Sequence, residues 1–506
     1  MIIREMIESR KKSIEERLGR RRMTLGVRPI MTASNIKYEL AERTRAITHG
    51  GIGLIHKLAR DSGLIEAINR QVHLLKLNLP YFESDHVLNI AYNALCEGRC
   101  LEDIELRRND ETFLDALGAQ RIPDPTTAGD FCRRFTRPFD IGRLQDAIDE
   151  ARLNVWRRQP ESFFGQATID MDGHLVGSTG ECKQGMDVAY DGTWGYHPLI
   201  LSLAETGEVL SIKNRSGNRP SHEGAAAFCD RAIGLCRRAG FRRIVLRGDT
   251  AFSQTEHLDR WDAAGVVFQF GYDAMPNLKE NADKLPKNSW KRLNRPAKYQ
   301  VKTKPRQRPD NVKEEIVQKR EYENQILQYE EVAEFDYQPT ACSKSYRMIV
   351  VRKNIRVEKG QQWLFDKSPY LFYITNDRDS SPSEIVFSCN DRCNQENLIA
   401  QLSGGVRAMR APVDNLLSNW AYMVMTALAW NLKAWSALWL PENGRWASKR
   451  RAEKYQLLKM EFRTFVNVMI KVPCQIVSTG RGIVYRLLNW NPWQGVFFRL
   501  ANQLHC

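Results

Sequence analysis

Apolar residues recur at helical spacing towards both ends of the chain. In the N-terminal region they return every three to four residues, as in Leu88, Ala91, Tyr92 and Leu95. The pattern predicts a charged helical arm over residues 1–25 and a mostly helical region over residues 35–155. A long apolar stretch at residues 416–440 is interrupted by polar side chains, which favours a buried core helix over a membrane span.

The middle of the chain changes to the two-residue alternation that is typical of strands. Strands are predicted at residues 163–176, 197–205 and 208–214. They are followed by a predicted helix, strand, helix and strand at residues 221–239, 243–249, 254–264 and 266–272. This order, three strands and then alternating helices and strands, resembles the RNase H-like fold. The predicted fold class is therefore α/β.

Residues 277–370 do not continue this alternation of helices and strands. Their first part is rich in Lys, Arg and Pro and their second part alternates like an antiparallel sheet, so we interpret them as an insertion. A further strand is predicted at residues 371–376, and helices from about residue 391 to the C-terminus. The expected divisions are a helical N-terminal region, the first part of the core, the insertion, the second part of the core and a helical tail, at residues 1–155, 156–276, 277–370, 371–440 and 441–506.

The chain is basic, and its basicity is localised. The 506 residues carry a formal net charge of +15. Residues 1–50, 277–313 and 441–506 carry +6, +9 and +8, which leaves the remainder at −8. Separate basic blocks around an acidic remainder favour contacts along one long polyanion, most simply nucleic acid. A solvated basic surface is the alternative interpretation.

Cysteine usage points to a reducing compartment. The chain has 11 cysteines, an odd number, and its first residues show no apolar leader segment. No cysteine pair has a second pair or a histidine at the spacing of a zinc finger. We therefore expect a cytoplasmic protein that does not associate with a membrane.

A candidate DNA-binding motif lies in the N-terminal region. Residues 123–127 break the helical pattern, and a short helix is predicted to follow, capped by Thr126 or Thr127 and ending in Arg133 and Arg134. A helix, a turn and a capped helix of this kind fit a helix-turn-helix motif. A plain helical bundle fits the same pattern, and the sequence does not separate the two.

Acidic residues carry the candidate chemistry. Asp170 and Asp172 lie two apart in a predicted strand and therefore on the same face. Asp249 ends a later strand, and Glu396 lies four residues after Arg392 on one helix face. In an RNase H-like fold the first strand, the fourth strand and a late helix converge. Two Asp and one Glu at that place would bind Mg²⁺ and promote cleavage of a phosphodiester.

Five motifs together resemble bacterial insertion-sequence transposases of the DDE class. They are TIDMDGH at residues 168–174, GYHPL at 195–199, IVLRGDTAF at 244–252, YITN at 373–376 and RCNQE at 392–396. The chain is most similar to the IS-4-like superfamily, and within it to the IS-thirteen-eighty group, over about residues 30–440. Each motif alone is weak, but their order and the long insertion before the Glu make the resemblance specific.

The resemblance implies the roles of the acids. Asp172, Asp249 and Glu396 match the catalytic acids of the family, which hold two Mg²⁺ ions for which Mn²⁺ can substitute. Asp170 stays open as the alternative first acid, because it shares a strand face with Asp172.

The resemblance also implies phosphate contacts around the Glu. The family signature there has a Tyr, an Arg and a Lys, and this chain keeps the Arg as Arg392. Cys389 and Ser403 stand in the Tyr and Lys positions, and Arg407 and Arg410 are candidate replacements.

The insertion holds candidate DNA contacts as well. In related enzymes a Trp of the insertion stacks on a flipped base, and Trp290 and Trp363 are the candidates for this role. Lys291 and Arg292 follow Trp290 and are predicted to contact DNA. Ordinary packing is the competing interpretation for either Trp.

The implied function is cut-and-paste transposition of an insertion sequence. Such an enzyme recognises terminal inverted repeats in double-stranded DNA through its helical N-terminal region, cuts each end and joins the 3′-OH to target DNA. We expect a homodimer in a synaptic complex, located in the cytoplasm at the bacterial nucleoid. Two alternatives stay open: an inactive or domesticated transposase that only binds DNA, and a metal-dependent nuclease that does not join strands.

Overall fold

The chain folds into two compact units, each built from separate stretches of sequence. The helical unit comprises Met1–Phe163, His174–Arg219 and Asn397–Cys506, and the sheet unit comprises Phe164–Gly173 and Pro220–Glu396. The structure is a computed structural model that describes residues 2–22, 45–77, 80–295, 315–316, 319–320, 323–359, 362–367, 369–479 and 482–504.

Helices predominate in the first and last parts of the described residues, and strands predominate in the middle. The α-helices are α1 (Ile2–Arg22), α2 (Ile52–Asp61), α3 (Leu64–Gln71), α4 (Glu83–Leu95), α5 (Ile104–Arg108), α6 (Glu111–Leu117), α7 (Pro125–Arg133), α8 (Pro138–Trp156), α9 (Ala225–Ala239), α10 (Leu258–Ala263), α11 (Pro276–Asp283), α12 (Pro382–Asp391), α13 (Cys393–Ala400), α14 (Leu416–Leu438), α15 (Ala447–Lys459), α16 (Phe462–Phe465) and α17 (Gln494–Gln503). The strands are β1 (Ala46–Ile47), β2 (Gln166–Gly173), β3 (Val176–Gly177), β4 (Asp187–Val188), β5 (Trp194–Tyr196), β6 (Leu199–Leu203), β7 (Glu208–Lys213), β8 (Arg243–Gly248), β9 (Val267–Tyr272), β10 (Lys291–Arg292), β11 (Glu323–Tyr337), β12 (Tyr346–Lys359), β13 (Gln362–Lys367), β14 (Tyr370–Thr375), β15 (Cys474–Thr479) and β16 (Gly482–Leu487).

The sheet unit is built around a mixed β-sheet. Within this unit the strand order is β10-β11-β12-β14-β9-β8-β2, and β13 pairs with β12. β2, β8 and β9 run parallel, whereas each neighbouring pair from β9 to β10 is antiparallel. β8 and β9 are buried almost throughout, as is typical of parallel strands in a sheet that is covered on both faces.

The predicted order of elements after residue 163 is confirmed. The expected strands form as β2, β6, β7, β8 and β9, with α9 and α10 in the expected places. α9 ends at Gly240, whose φ of +98° is a left-handed conformation that favours glycine. The pattern does not predict β3, β4 and β5, because two or three residues are too few to show an alternation.

The segment interpreted as an insertion contributes strands to the sheet of its unit. β11 and β12 are long antiparallel partners, and β12 also pairs with β14, from Arg347↔Thr375 to Arg352↔Tyr370. β14 in turn pairs with β9. These strands therefore continue the core sheet, and the proposed insertion boundaries remain a prediction. Residues 296–314 of its basic part lie outside the described residues.

Helix α14 is buried along nearly its whole length in the helical unit. It packs against α4, α8, α15 and β7. Trp420 donates its indole N–H to the Ile212 carbonyl at 2.6 Å, and the Asn431 amide bonds both backbone groups of Val209. The predicted buried core helix is confirmed, and none of the described helices is long and apolar enough to cross a membrane.

A buried carboxylate ties α8 and α14 to the first residue of β7. Glu208 is fully buried and accepts hydrogen bonds from Arg152 Nε at 3.1 Å, Trp156 Nε1 at 2.9 Å and Trp435 Nε1 at 2.8 Å. Because the buried charge is both paired and hydrogen-bonded, its desolvation is compensated. The network fixes the relative positions of these three elements.

The prediction of an all-helical C-terminal tail is wrong for one segment. β15 and β16 are antiparallel partners, and β15 also pairs with β1. The hairpin contains Ile476, Val477, Ile483 and Val484, whose branched side chains favour strands over helices. α15, α16 and α17 account for the helical part of the tail, and α1 agrees with the predicted N-terminal arm.

The predicted N-cap of α7 is also wrong. Asp124, and not Thr126 or Thr127, precedes the helix, and its carboxylate accepts the backbone N–H of Thr127 at 2.9 Å. Pro125 occupies the first helical position, where its missing N–H costs nothing. An Asp directly before a Pro is the stronger signal for a helix start than the threonines that follow it.

Candidate active site

The ends of β2 and β8 bring two candidate acids to one edge of the sheet. The two strands are parallel neighbours, with Asp170 opposite Arg247 in the register. Asp172 lies two residues further along β2, and Asp249 follows the last residue of β8. Because the carboxyl ends of parallel strands lie at the same edge, Asp172 and Asp249 share that edge.

Asp170 is engaged in a buried ion pair. Arg247 donates to its carboxylate from Nε at 2.6 Å and from Nη2 at 2.8 Å, and both side chains are almost fully buried. Burial raises the pKa of Asp170, and the hydrogen bonds from Arg247 oppose that rise. Arg247 also donates to the Ser388 carbonyl at 2.6 Å. A carboxylate held in this way is poorly placed to bind a metal or a substrate.

Asp172 lies beside other charges at the end of β2. Its side chain is 17% exposed, and its Oδ2 is 3.1 Å from Nη1 of Arg392. Its Oδ1 accepts the backbone N–H of Gly173 at 2.8 Å. Burial raises the pKa of Asp172 to about 6, with Arg392 opposing the rise and the carboxylates of Asp249 and Glu396 adding to it. Asp172 therefore shares one electrostatic environment with both other candidate acids.

Asp249 is held by the turn that follows β8. Its Oδ1 accepts the N–H of Ala251 at 2.9 Å and so caps a short 3-10 turn. A Cβ at Gly248 would lie 2.8 Å from Cβ of Phe252 and 3.1 Å from Cγ of Met171. A larger residue before Asp249 would displace this turn and the carboxylate with it.

Arg392 lies between two of the candidate acids. It separates α12 from α13, and Glu396 is on the first turn of α13. Nη1 of Arg392 is 3.1 Å from Oδ2 of Asp172, and Nη2 is 3.5 Å from Oε1 of Glu396. Arg392 is 18% exposed, whereas Glu396 is 60% exposed. The guanidinium thus links the acid on the strand to the acid on the helix.

The three carboxylates have the chemistry of a divalent-cation site but not, in this conformation, its spacing. Carboxylate oxygens are the ligands that Mg²⁺ prefers, and two of these acids raise the pKa of the third. Within the part of the chain that the structure describes, no group of three His, Cys, Asp or Glu side chains could hold a metal ion. The positive charge between Asp172 and Glu396 is instead the guanidinium of Arg392.

The positions where the resemblance expects Tyr and Lys hold residues with other contacts. Cys389 is buried in a hydrophobic cluster that includes Ile349 and Ile385, and burial raises the pKa of its thiol to about 12. Ser403 lies in the helical unit, with Oγ 2.9 Å from Nε2 of His174. The sequence does not predict the contact between His174 and Ser403. The one feature that draws attention to His174 is that it ends the TIDMDGH motif.

Arg407 and Arg410 contact backbone carbonyls of the helical unit. Arg407 Nη1 lies 3.1 Å from the Glu97 carbonyl and 3.2 Å from that of Gly98. Arg410 Nη1 lies 2.9 Å from the Arg99 carbonyl. These bonds position the segment that follows α13 along residues 97–99, and the predicted DNA contacts of the two arginines remain predictions.

Arg133 and Arg134 end α7 as expected, but the surrounding geometry favours a helical bundle. Arg133 makes ion pairs with Asp130 at 2.9 Å and Asp414 at 3.0 Å, and Arg134 is exposed. The connection from α6 to α7 runs over residues 118–124, which is longer than the three- or four-residue turn of a helix-turn-helix motif.

Trp290 is packed against other side chains of the sheet unit. The guanidinium carbon of Arg352 lies 4.1 Å from its ring centroid, and the Tyr370 ring stacks on it at 6.2 Å and 27°. This contact set favours ordinary packing. Lys291 and Arg292 form the exposed strand β10. Trp363 lies in β13, and its side chain is outside the described part of the structure.

A family model and a solved structure are similar to this chain. The model of the family described as transposase DDE domain group 1 matches residues 33–506. A cryo-EM structure of a piggyBac transposase synaptic complex with hairpin DNA is 9% identical in sequence, with a TM-score of 0.37. The match covers 91% of this chain and 86% of the piggyBac chain. No curated protein matches the chain significantly.

Proposed function

The chain belongs to the family of transposases described as DDE domain group 1, and from this premise we propose that it catalyses cut-and-paste transposition of a DNA element. The observation that carries the proposal is the placement of Asp172 and Asp249 at one edge of the sheet, with Arg392 3.1 Å from Asp172 and 3.5 Å from Glu396. An RNase H-like core is the proposed fold, supported by the order of elements from β2 to β9. The placement in the IS-thirteen-eighty group of bacterial insertion sequences rests on the five sequence motifs.

The proposed chemistry is hydrolysis of a phosphodiester at each element end, followed by attack of the 3′-OH on target DNA. Asp172, Asp249 and Glu396 would hold the divalent ions, proposed as two Mg²⁺ with Mn²⁺ as a substitute. Bound ions of this kind activate an attacking hydroxyl and stabilise the leaving oxygen. The protein itself positions the three acids from β2, from the turn after β8 and from α13. Asp170 is left out of this set because Arg247 holds it.

Double-stranded DNA is the proposed partner, as terminal inverted repeats and as target. The proposed contacts are basic and aromatic side chains: Arg392, Arg407, Arg410, Arg133, Arg134, Trp290, Lys291 and Arg292. The helical N-terminal region is proposed to recognise the repeats. Because two element ends must be handled together, we propose a homodimer in the synaptic complex, acting in the cytoplasm at the bacterial nucleoid.

A cleavage assay tests the assignment of the acids. The substrate is a labelled duplex that carries the inverted repeats flanking the reading frame, incubated with Mg²⁺. We expect Asp172→Asn, Asp249→Asn and Glu396→Gln each to lower the cleavage rate at least about 10³-fold, because each removes an anionic oxygen ligand. End binding, measured by gel shift, should change little.

Glu280→Gln is the matched control for that assay. Glu280 is an exposed acid on α11 of the same unit, so its replacement should leave cleavage at the wild-type rate. Full cleavage by the Glu396→Gln protein would contradict the role of that residue.

A DNA-binding protein without catalytic activity is the second candidate function. Two observations favour it: buried Cys389 in the expected Tyr position, and Arg392 between the acids. It predicts a gel shift without nicking at any Mg²⁺ or Mn²⁺ concentration. A strand-transfer assay with pre-cut ends distinguishes the third candidate, a nuclease, from a transposase. A nuclease would cut the duplex but would not join the 3′-OH of a pre-cut end to target DNA.

A further inference from the structure

The guanidinium of Arg392 lies between the acid on the strand and the acid on the helix, which are the side chains proposed to hold a divalent ion. It lies 3.1 Å from Asp172 Oδ2 and 3.5 Å from Glu396 Oε1. Arg392 and Asp172 are each less than one-fifth exposed, so water screens their attraction only in part. Among the described residues, these two carboxylates are the side chains to which the guanidinium is paired.

Arginine and a divalent ion compete for the same oxygens. An arginine side chain stays protonated in proteins, so its charge leaves the site only if the side chain moves. A carboxylate that accepts hydrogen bonds from a guanidinium has fewer lone pairs left for a metal, and the fixed positive charge repels a second cation. The free protein is therefore expected to bind divalent ions weakly.

A phosphate group offers the guanidinium an equivalent partner. Phosphate accepts the same paired N–H···O bonds as a carboxylate, and arginine is the side chain that forms them best. A DNA backbone that reaches the edge of β2 and β8 would thus draw Arg392 away from Asp172 and Glu396. Both carboxylates would then be free to bind a metal.

We propose that Arg392 is an internal counter-ion which keeps the metal site of the free protein closed until a DNA phosphate takes the guanidinium. This inference rests on the proposed function, because it takes DNA as the phosphate source. By linkage, DNA and the divalent ion then strengthen each other's binding. Arg392 acts on the metal through Asp172 and Glu396 and is in this respect a positioning residue.

Metal binding to the free protein tests the inference without any reaction. Mn²⁺ is titrated into DNA-free protein, and free Mn²⁺ is followed by electron paramagnetic resonance. We expect Arg392→Gln to bind Mn²⁺ at least about tenfold more tightly than the wild type, because the unit charge beside both carboxylates is removed. Arg392→Lys keeps the charge and should stay within about threefold of the wild type. Adding Glu396→Gln to Arg392→Gln should abolish the gain.

Arg378→Gln is the matched control. Arg378 pairs with Asp336 at 2.8 Å on the exposed surface of the same unit, with side chains 55% and 64% exposed. Its replacement removes the same charge and should leave Mn²⁺ affinity unchanged. Equal affinities for the Arg392→Gln and Arg378→Gln proteins would overturn the inference.

A second measurement covers the case in which Arg392→Gln does not fold. Duplex DNA added to the wild type should tighten Mn²⁺ binding at least about tenfold. The Asp172→Asn protein with the same duplex measures the Mn²⁺ that the DNA itself binds, and this background is subtracted. No tightening would also overturn the inference. Cleavage by a wild type that fails these binding tests would leave the proposed function intact. A gain of Mn²⁺ affinity in a chain that never cuts DNA would reject the function and keep the inference.

Discussion

Two residues on one face of β2 have different surroundings that the sequence alone does not reveal. Asp170 and Asp172 both point the same way by the strand alternation, so the pattern leaves either as the first acid. Their difference comes from the neighbouring strand, because the β2–β8 register places Arg247 opposite Asp170. Register depends on long-range pairing, which a local pattern does not encode. Asp249 and Glu396, in contrast, are predicted from motif and spacing alone, and their roles stay predictions.

Lys433 is a buried charge that the mechanism does not use. It is 1% exposed on α14, donates to the Leu458 carbonyl at 2.7 Å and lies 4.0 Å from the ring centroid of Trp430. No described carboxylate forms an ion pair with it. Burial, together with the charge of Lys459, lowers the pKa of Lys433 to about 7.

We expect Lys433→Met to change the pH dependence of stability. The unfolded chain binds the Lys433 proton up to about pH 10.4, whereas the folded chain releases it near pH 7, so wild-type stability rises with pH between these values. Relative to the variant, the wild-type free energy of unfolding should be about 2–3 kcal/mol higher at pH 9.5 than at pH 7, measured by urea denaturation.

Exposed Lys449 on α15 provides the control for this experiment. Its side chain is 70% exposed, so Lys449→Met removes a lysine without opening a buried site, and its denaturation series gives the background for the loss of one lysine. If the Lys433→Met profile matched that background, the burial of Lys433 would not be what lowers its affinity for protons.

At the scale of elements, the prediction succeeds where an element is long and regular. α14 and the strands β8 and β9 show continuous apolar runs or clear periods, and all three are confirmed. The hairpin of β15 and β16 contradicts the predicted helix. Its β-branched residues agree with strands, but its pairing with β1 joins residues more than 400 positions apart and is not encoded in a local pattern.

The buried ion pair between Asp170 and Arg247 joins neighbouring residues of β2 and β8. Asp170→Asn would leave the guanidinium buried without its charge partner, and we expect the free energy of unfolding to fall by about 3–5 kcal/mol. Replacing both residues with apolar side chains, as Asp170→Leu with Arg247→Met, should restore most of that loss. Urea denaturation of the three proteins measures the effect.

The same variants decide whether Asp170 has a role beyond packing. A stable double variant should still cut the end-containing duplex, since Asp172 supplies the first acid in the proposed site. A double variant that regains stability but no longer cuts would return Asp170 to the set of catalytic acids.

For the whole molecule, net charge is less informative than its distribution. The +15 total divides into three basic blocks and a remainder of −8 that contains all the candidate acids. Part of the second block, residues 296–313, lies outside the described structure, whereas α15 in the third block presents exposed Lys449 and Arg451. The family match over residues 33–506 spans the last two blocks and most of the chain.

We expect the cations of the basic blocks to determine how strongly DNA binding depends on salt. Replacing Lys449 and Arg451 with Gln should reduce the slope of log K against log salt by about 2 and weaken binding to all sequences alike, because each exposed cation releases about one counterion. Lys344→Gln with Arg378→Gln removes the same charge at exposed positions outside the three basic blocks. This second pair should leave the slope nearly unchanged. An equal reduction by both pairs would mean that the total charge, and not its position in the basic blocks, decides DNA affinity.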